Sequence, residues 1–430
     1  MLKIGFAQQD MTPLAPVMLG GYAARFHPSE GIHDPLYARV CSVSDGAQRV
    51  LFFSCDALAV MKDQYIRLRE LCGQLYGERN IIIAATHDHS APEVRLAGLT
   101  YKANLLWRQR ILAQMAALAG QAMEKEQPMT VRFASRQVEG VTRSRRADDT
   151  DTDETLTVFA MYDEEETCRG LILNFSCHCT VLDASNYQIT ADYPAFLYKQ
   201  LSAWYPNATI LFTNGAAGNL NIGYSADASA LGSDMGRLRS FSTAQQKAAL
   251  LAEGVRLALV NAKVLRGPLV FRCTELALPV KSGLPSLVCM EKHLEQLQHE
   301  HGRADSRRRA EIEIELIYCG CIRDNLEEYP IEDKKIFTEM TLFLLGKCGF
   351  ITYPGEMFSQ IGKQIKKRLA HCGYTVAVCG YANGYFGYLP TRQAHAAGGY
   401  ECETTLLHPD AEMEVLHTAE KLARPREDRE

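Results

Sequence analysis

The run Ile81-Ile82-Ile83-Ala84-Ala85 passes directly into Thr86-His87-Asp88-His89-Ser90. The apolar part is short, β-branched at its start and without helical spacing, which predicts a buried strand. Residues two apart on an extended chain share a face. A strand that stays extended to its end therefore projects His87 and His89 together, with Asp88 opposite. Two imidazoles at a strand mouth suit the start of a catalytic metal site. The same letters also suit two histidines hydrogen-bonded in a polar loop.

Similar runs recur outward from this stretch. Strands are predicted at 2–6, 37–43, 49–55, 129–136, 155–162, 169–176 and 208–213, and helices at 60–76, 102–125, 193–204 and 244–263. Strands at 269–279, 337–345, 349–353 and 374–379 follow, with a helix at 356–370. Alternation of this kind predicts an α/β fold with helices packed on sheets. The region 284–328, with Arg307-Arg308-Arg309 and Glu311-Ile312-Glu313-Ile314-Glu315, reads instead as a solvated helical hairpin leaving the main body. Asp148 to Glu154 form an acidic loop behind Arg143-Ser144-Arg145-Arg146, and the tail 424–430 reads as frayed.

The chain of 430 residues is long enough for a large core, and its net charge of -5 with no basic, aromatic-laced block argues against a nucleic-acid partner. No stretch approaches the roughly 18 apolar residues of a membrane span. The N-terminus lacks the features of a secretory signal, so a cytoplasmic protein is expected. The fourteen cysteines have no C-x-x-C zinc spacing and read as reduced, buried side chains. Cys177 and Cys179, flanking His178, are the two that would compete for a metal.

There is no G-x-S-x-G, no phosphate loop, no G-x-G-x-x-G and no H-E-x-x-H. What remains is a set of polar clusters at strand ends. Ser176-Cys177-His178-Cys179 ends one apolar run, where His178 is a metal ligand or a packed side chain. Asp192, before a helix, is an N-cap or a carboxylate orienting an imidazole. Asn214-Gly215-Ala216-Ala217-Gly218-Asn219-Leu220-Asn221 is a small-residue loop that lets backbone approach a ligand, or a plain turn. Glu356, in Tyr353-Pro354-Gly355-Glu356, is a first-turn helix residue or a ligand. Gly380 to Thr391 form a glycine- and tyrosine-rich loop of the kind that lines pockets.

In this order the motifs resemble the N-terminal catalytic domain of the neutral, non-lysosomal ceramidase family. The resemblance also includes Gly20-Gly21-Tyr22-Ala23, Gly31-Ile32-His33-Asp34 and Tyr400-Glu401, and so covers nearly the whole chain. It implies an α/β fold of mixed sheets layered with helices, forming a single catalytic domain over 1–430 with 284–328 inserted. It implies one zinc ion held by His87, His178, Glu356 and Tyr388. His89 matches a catalytic residue beside the metal, Tyr400 a tyrosine supporting the site, and Arg143 a substrate-contacting arginine. Tyr385, in the same loop as Tyr388, is a further expected substrate contact. The chemistry agrees, since two imidazoles and a carboxylate leave zinc room for a water whose pKa falls to roughly 7. His89 would take that water's proton and return it to the leaving amine.

The chain departs from the family in its small-residue loop. Where ceramidases carry G-D-x-S-P-N, this chain has Gly218-Asn219-Leu220-Asn221. A serine-dependent step is lost, leaving Asn221 as a hydrogen-bond donor and Asn219 as a substrate contact. The family also continues into an immunoglobulin-like domain and is secreted or membrane-exposed. The expectation is therefore a zinc-dependent hydrolase cutting a linear amide, with a soluble N-acyl substrate in place of ceramide and no stable membrane association. An oligomer is left open. The competing readings are a ceramidase, an esterase at the same zinc site, and a non-catalytic ligand-binding protein.

Overall fold

The computed structural model describes residues 2–424 except Ala23, 96–100, Asp148 and 227–238. The predicted tail from 425 onward, Ala23 of the glycine motif and Asp148 of the acidic loop lie outside the described residues.

Three sheets build the molecule. The first has strands β1 (Lys3–Asp10), β2 (Tyr37–Ser44), β3 (Arg49–Cys55) and β4 (Ile81–Ala85) in the order β4-β3-β2-β1, edged by Gln127–Pro128. The second has β5 (Thr130–Gln137), β6 (Thr155–Tyr162), β7 (Cys168–Phe175) and β8 (Thr209–Asn214) in the order β8-β7-β6-β5, edged by Lys263–Val264. The third runs β9 (Leu269–Pro279), β10 (Lys335–Leu345), β11 (Cys348–Thr352) and β12 (Thr375–Cys379) in sequence order.

Each sheet contains one parallel pair, β3–β4, β7–β8 and β11–β12, among otherwise antiparallel neighbours. A parallel pair needs a crossover, and a helix supplies it each time. Helix α1 (Lys62–Tyr76) links β3 to β4, while α2 (Lys102–Glu124) packs on the same sheet. Helix α3 (Tyr193–Trp204) links β7 to β8, and α4 (Phe241–Leu259) covers that sheet with it. After the hairpin of α5 (Leu287–His301) and α6 (Ser306–Glu328), α7 (Ser359–His371) links β11 to β12. Three helices close the described chain: α8 (Arg392–Ala397), α9 (Tyr400–Thr404) and α10 (Ala411–Ala423).

Side-chain alternation explains why the central strands are apolar on both faces. Ile82 and Ala84 of β4 face a central core with Ile4, Phe52, Phe159, Ile172, Leu211, Phe343, Phe350 and Ala377 from all three sheets. Ile81, Ile83 and Ala85 point the other way, against α1 and α2. Leu171 and Leu173 face α3 and α4, and Leu342 and Leu344 face α7 and α10. Both faces of each sheet are thus covered, which strips the period-2 polarity from the sequence.

The hairpin differs from its sequence reading. Its outer part is the expected solvated structure, laced by Arg308 with Glu300 and Glu315, both at 2.8 Å. Its base is not an excursion, because Ile322 and Leu326 pack on the core of the third sheet. Glu328 also accepts a hydrogen bond from the Lys62 N–H at 2.8 Å.

Candidate metal centre

The three crossover units converge at the carboxyl ends of their parallel strands, where open α/β sheets bind ligands. His87 and His89 follow β4, His178 follows β7, Glu356 follows β11, and the tyrosine loop follows β12. Asn214, the last residue of β8, ties these exits together. Its amide donates to the carbonyls of Thr86 at 3.2 Å and Cys177 at 2.9 Å. Asn383 does the same for the tyrosine loop, accepting from the Ile83 N–H at 2.9 Å.

The strand carrying the first motif does not stay extended. It ends at Ala85, and His87 takes φ +62°, a left-handed conformation that non-glycine residues adopt rarely. His87 and His89 still meet, with their Nε2 atoms 3.1 Å apart, but through this turn and not through strand alternation. Gly21 makes room for His89. Its φ is +84°, and a Cβ there would lie 2.2 Å from His89 Nδ1.

Each candidate ligand histidine is locked by its other ring nitrogen. His87 Nδ1 donates to the Leu58 carbonyl at 2.8 Å, and His178 Nδ1 donates to the Leu220 carbonyl at 2.9 Å. A carbonyl only accepts, so each ring carries a proton on Nδ1, and in the neutral form its lone pair is on Nε2. Those lone pairs converge on one carboxylate oxygen. Glu356 Oε2 lies 2.8 Å from His178 Nε2 and 3.5 Å from His87 Nε2. The ligand atoms of all three buried residues lie within 4.8 Å of one another. Lone pairs held this close repel unless a proton or a cation sits among them, so the donor set fits a metal.

Glu356 is not in a helix, as α7 begins only at Ser359. It sits in a two-residue strand, Glu356–Met357, paired in parallel with Tyr388–Leu389. The register places Glu356 directly beside Tyr388. Tyr385 Oη donates to Glu356 Oε1 at 2.5 Å, and the Tyr381 ring stacks on His87 at 4.2 Å. Burial holds His87 down to about 3. Burial pushes Glu356 up, but His87, His178 and Arg145 outweigh it and hold the carboxyl at about 2. Burial, reinforced by the other two histidines, keeps His89 neutral too.

Tyr388 and Tyr400 line the same cavity, with ring centroids 5.8 Å apart. The asparagines do not join them. Asn221 holds its own turn, donating to the Tyr224 carbonyl at 2.8 Å and accepting from the Gly223 N–H at 2.7 Å. Asn219 accepts from the Ser359 N–H at 2.8 Å and donates to Asp149 at 3.0 Å. The loop instead serves the site through the Leu220 carbonyl. Arg143 is exposed and lines a separate depression with Glu139 and Glu154. Arg145 and Arg146 both turn inward onto Glu401, with side chains 5% and 8% exposed, and Arg145 is the one beside Tyr388. Its guanidinium lies 5.3 Å from the Tyr388 ring centre, and its Nε donates to buried Glu401 at 2.8 Å. Arg145 stood in the quoted Arg-Ser-Arg-Arg run, yet the four letters do not show which of the three arginines face in.

Asp192 is the N-cap of α3, accepting from Tyr193 N–H at 2.6 Å, and orients no imidazole. Cys177 and Cys179 are buried, with thiols directed to the carbonyls of His178 and Thr86, outside the ligand set. Arg95, Asp324 and Cys321 line the cavity and had no part in the sequence reading.

Fold and site together define an α/β protein with a buried centre of two histidines and one carboxylate that could hold a metal ion. Residues 2–197 match the model of the neutral/alkaline non-lysosomal ceramidase N-terminal domain. The chain is 27% identical over 225 residues to neutral ceramidase of Drosophila melanogaster, covering 46% of this chain and 32% of the relative. It is 21% identical over 472 residues to neutral ceramidase of Pseudomonas aeruginosa, covering 95% of this chain and 69% of the relative. The crystal structure of the Pseudomonas aeruginosa enzyme superposes with a TM-score of 0.76 at 17% identity, covering 98% of this chain and 74% of that one. The resemblance to neutral ceramidases therefore holds in sequence over the N-terminal part and in fold along the chain. The match spans about a third of the length of the fly relative.

Proposed function

We propose that the protein is a zinc-dependent hydrolase that cuts a linear amide, with a small soluble N-acyl compound as substrate in place of ceramide. One observation carries the reading: Nε2 of His178 lies 2.8 Å from Glu356 Oε2, with His87 Nε2 on the same oxygen at 3.5 Å. The neutral ceramidases it resembles lend support for the reaction class. His87, His178 and Glu356 would hold the ion, with Tyr388 beside them. Bound zinc would supply Lewis-acid polarisation of the amide carbonyl and a lowered pKa for water.

The chain's own residues do the rest. His89, neutral and 3.1 Å from His87, is placed to take a proton on Nε2 and return it to the departing amine. Protonation matters because an amide anion is a very poor leaving group. Tyr385 and the two backbone carbonyls fix the carboxylate and both imidazoles, so little reorganisation is needed during the reaction. Arg145 places a buried positive charge beside Tyr388, where it would favour negative charge developing in the site.

The small substrate is supported by the cavity, about 50 Å³ in volume and lined by Arg95, Asp324, Asn325, Tyr400 and Thr404. For scale, a closed apolar cavity of about 150 Å³ holds benzene. All fourteen cysteines are free, and this supports a reducing compartment such as the cytoplasm. No helix among the described residues is long and apolar enough to cross a membrane.

The test is elemental analysis of purified protein beside His178→Ala. Stoichiometric zinc that is lost in the variant is expected, followed by amine release from short N-acyl compounds. Carefully handled protein with no stoichiometric metal would overturn the reading.

A further inference from the structure

We propose that the α5–α6 hairpin is a specificity cap that restricts the substrate to a short acyl arm, with Cys321 and Asn325 setting the limit. This rests on the hydrolase reading above. Tyr318, Cys321, Asn325 and Glu328 of α6 recur at three- and four-residue intervals and so share one face. That face is turned to the metal centre. Tyr318 packs on Tyr400 with centroids 5.5 Å apart, and Cys321 Sγ lies 3.8 Å from Tyr400 Oη. Cys321, Asp324 and Asn325 line the same cavity as His87, His89 and Glu356. The Asn325 amide lies over the Gly387 backbone, 3.0 Å from where a Cβ would stand, one residue before Tyr388.

The cap is fixed in place at both edges. Arg95 is held by Glu93 at 2.6 Å and reaches Asp324 at 4.0 Å. At the other edge Tyr329 Oη accepts from the Tyr385 N–H at 3.1 Å, so the end of the hairpin touches the loop that carries Tyr388. On the hairpin side the remaining space, about 50 Å³, is bounded by an ion pair, an amide and a thiol. An acyl chain directed to that side would meet Asp324 and Asn325, and burying polar groups against methylenes without new partners is unfavourable.

Alkyl hydroxamic acids test this without knowledge of the amine, since the hydroxamate seeks the metal and the chain explores the acyl side. Binding of acetohydroxamate, butanohydroxamate and octanohydroxamate to the zinc-loaded protein would be measured by calorimetry. In wild type, affinity is expected to fall at least tenfold from the two-carbon to the eight-carbon probe. Cys321→Ala/Asn325→Ala should shrink that ratio about tenfold with zinc content unchanged, and Cys321→Ala alone should act in the same direction if the double variant folds poorly. An apolar tunnel would instead raise affinity by about fourfold per methylene. Equal or rising affinity in wild type, or a ratio unmoved in both variants, overturns the cap. Protein that takes up no zinc overturns the hydrolase reading itself, and the cap falls with it.

Discussion

His87 and His89 are two residues apart, share a cavity and have different work in the proposed mechanism. The Nδ1–H of His87 is committed to the Leu58 carbonyl, whereas His89 Nδ1 is buried without a partner. His87→Ala should therefore abolish stoichiometric zinc, measured by elemental analysis. His89→Ala should retain the metal and lose about 10²–10⁴-fold in turnover, the usual worth of a positioned acid–base group. Gly21→Ala tests the placement of His89. A methyl group 2.2 Å from the ring in a φ of +84° forces the imidazole to move, and a displacement of that size costs roughly 10²-fold in kcat with zinc retained. The two arginines make a further pair. Arg145→Met should lower kcat/KM at least tenfold, whereas Arg143→Met on the exposed side should change it little.

At the scale of elements, the site is built by three strand–helix–strand units, each delivering its residues from the end of a parallel strand. That arrangement depends on turns the chain must make immediately after the strands, and several are left-handed at non-glycine residues: His87, Asp192, Tyr381 and Asn383. Asp192 shows what holds one of them. Its carboxylate accepts from the N–H groups of Tyr193 at 2.6 Å and Leu182 at 3.0 Å, so it caps α3 and pins the segment leaving His178. Asp192→Ala should cost about 1–2 kcal/mol in a urea titration, and Asp192→Asn less, because asparagine caps and tolerates positive φ.

At the scale of the whole molecule, the proposed metal would link its binding to folding. Burial holds His87 at about 3 against 6.5 for a free histidine. Between those values the unfolded chain binds a proton that the folded chain refuses, so metal-free protein loses stability as the pH falls through that window. Glu356, held at about 2, adds to the same trend, because its contribution is present above 4.5 and is lost as pH falls toward the folded value. Asp192, pushed up by burial to about 6, opposes it, since its contribution fades as pH rises above 3.8. The His87 part is isolated by comparing metal-free wild type with His87→Gln. The variant should show a shallower loss of denaturation midpoint between pH 6.5 and 4. Chelation at neutral pH should lower the Tm of wild type and leave His87→Ala unchanged, because only a folded site binds the ion.

The sequence by itself determined the strands, the crossover helices and the order in which chemical groups leave them. Short, largely apolar runs at 81–85, 169–176 and 349–353 suit buried strands, and polar residues directly behind them fall at strand mouths. The motif order also carried the resemblance to neutral ceramidases and the set His87, His178 and Glu356. Tertiary structure decided the rest. Whether Arg143 or Arg145 turns inward depends on Glu401, more than 250 residues away. Whether Asn219 and Asn221 face a substrate or hold a turn depends on which backbone groups lie nearby. The roof of the cavity comes from a hairpin whose charged letters describe only its solvated end. Local spacing sets which side chains share a face; only the packed chain sets what that face meets.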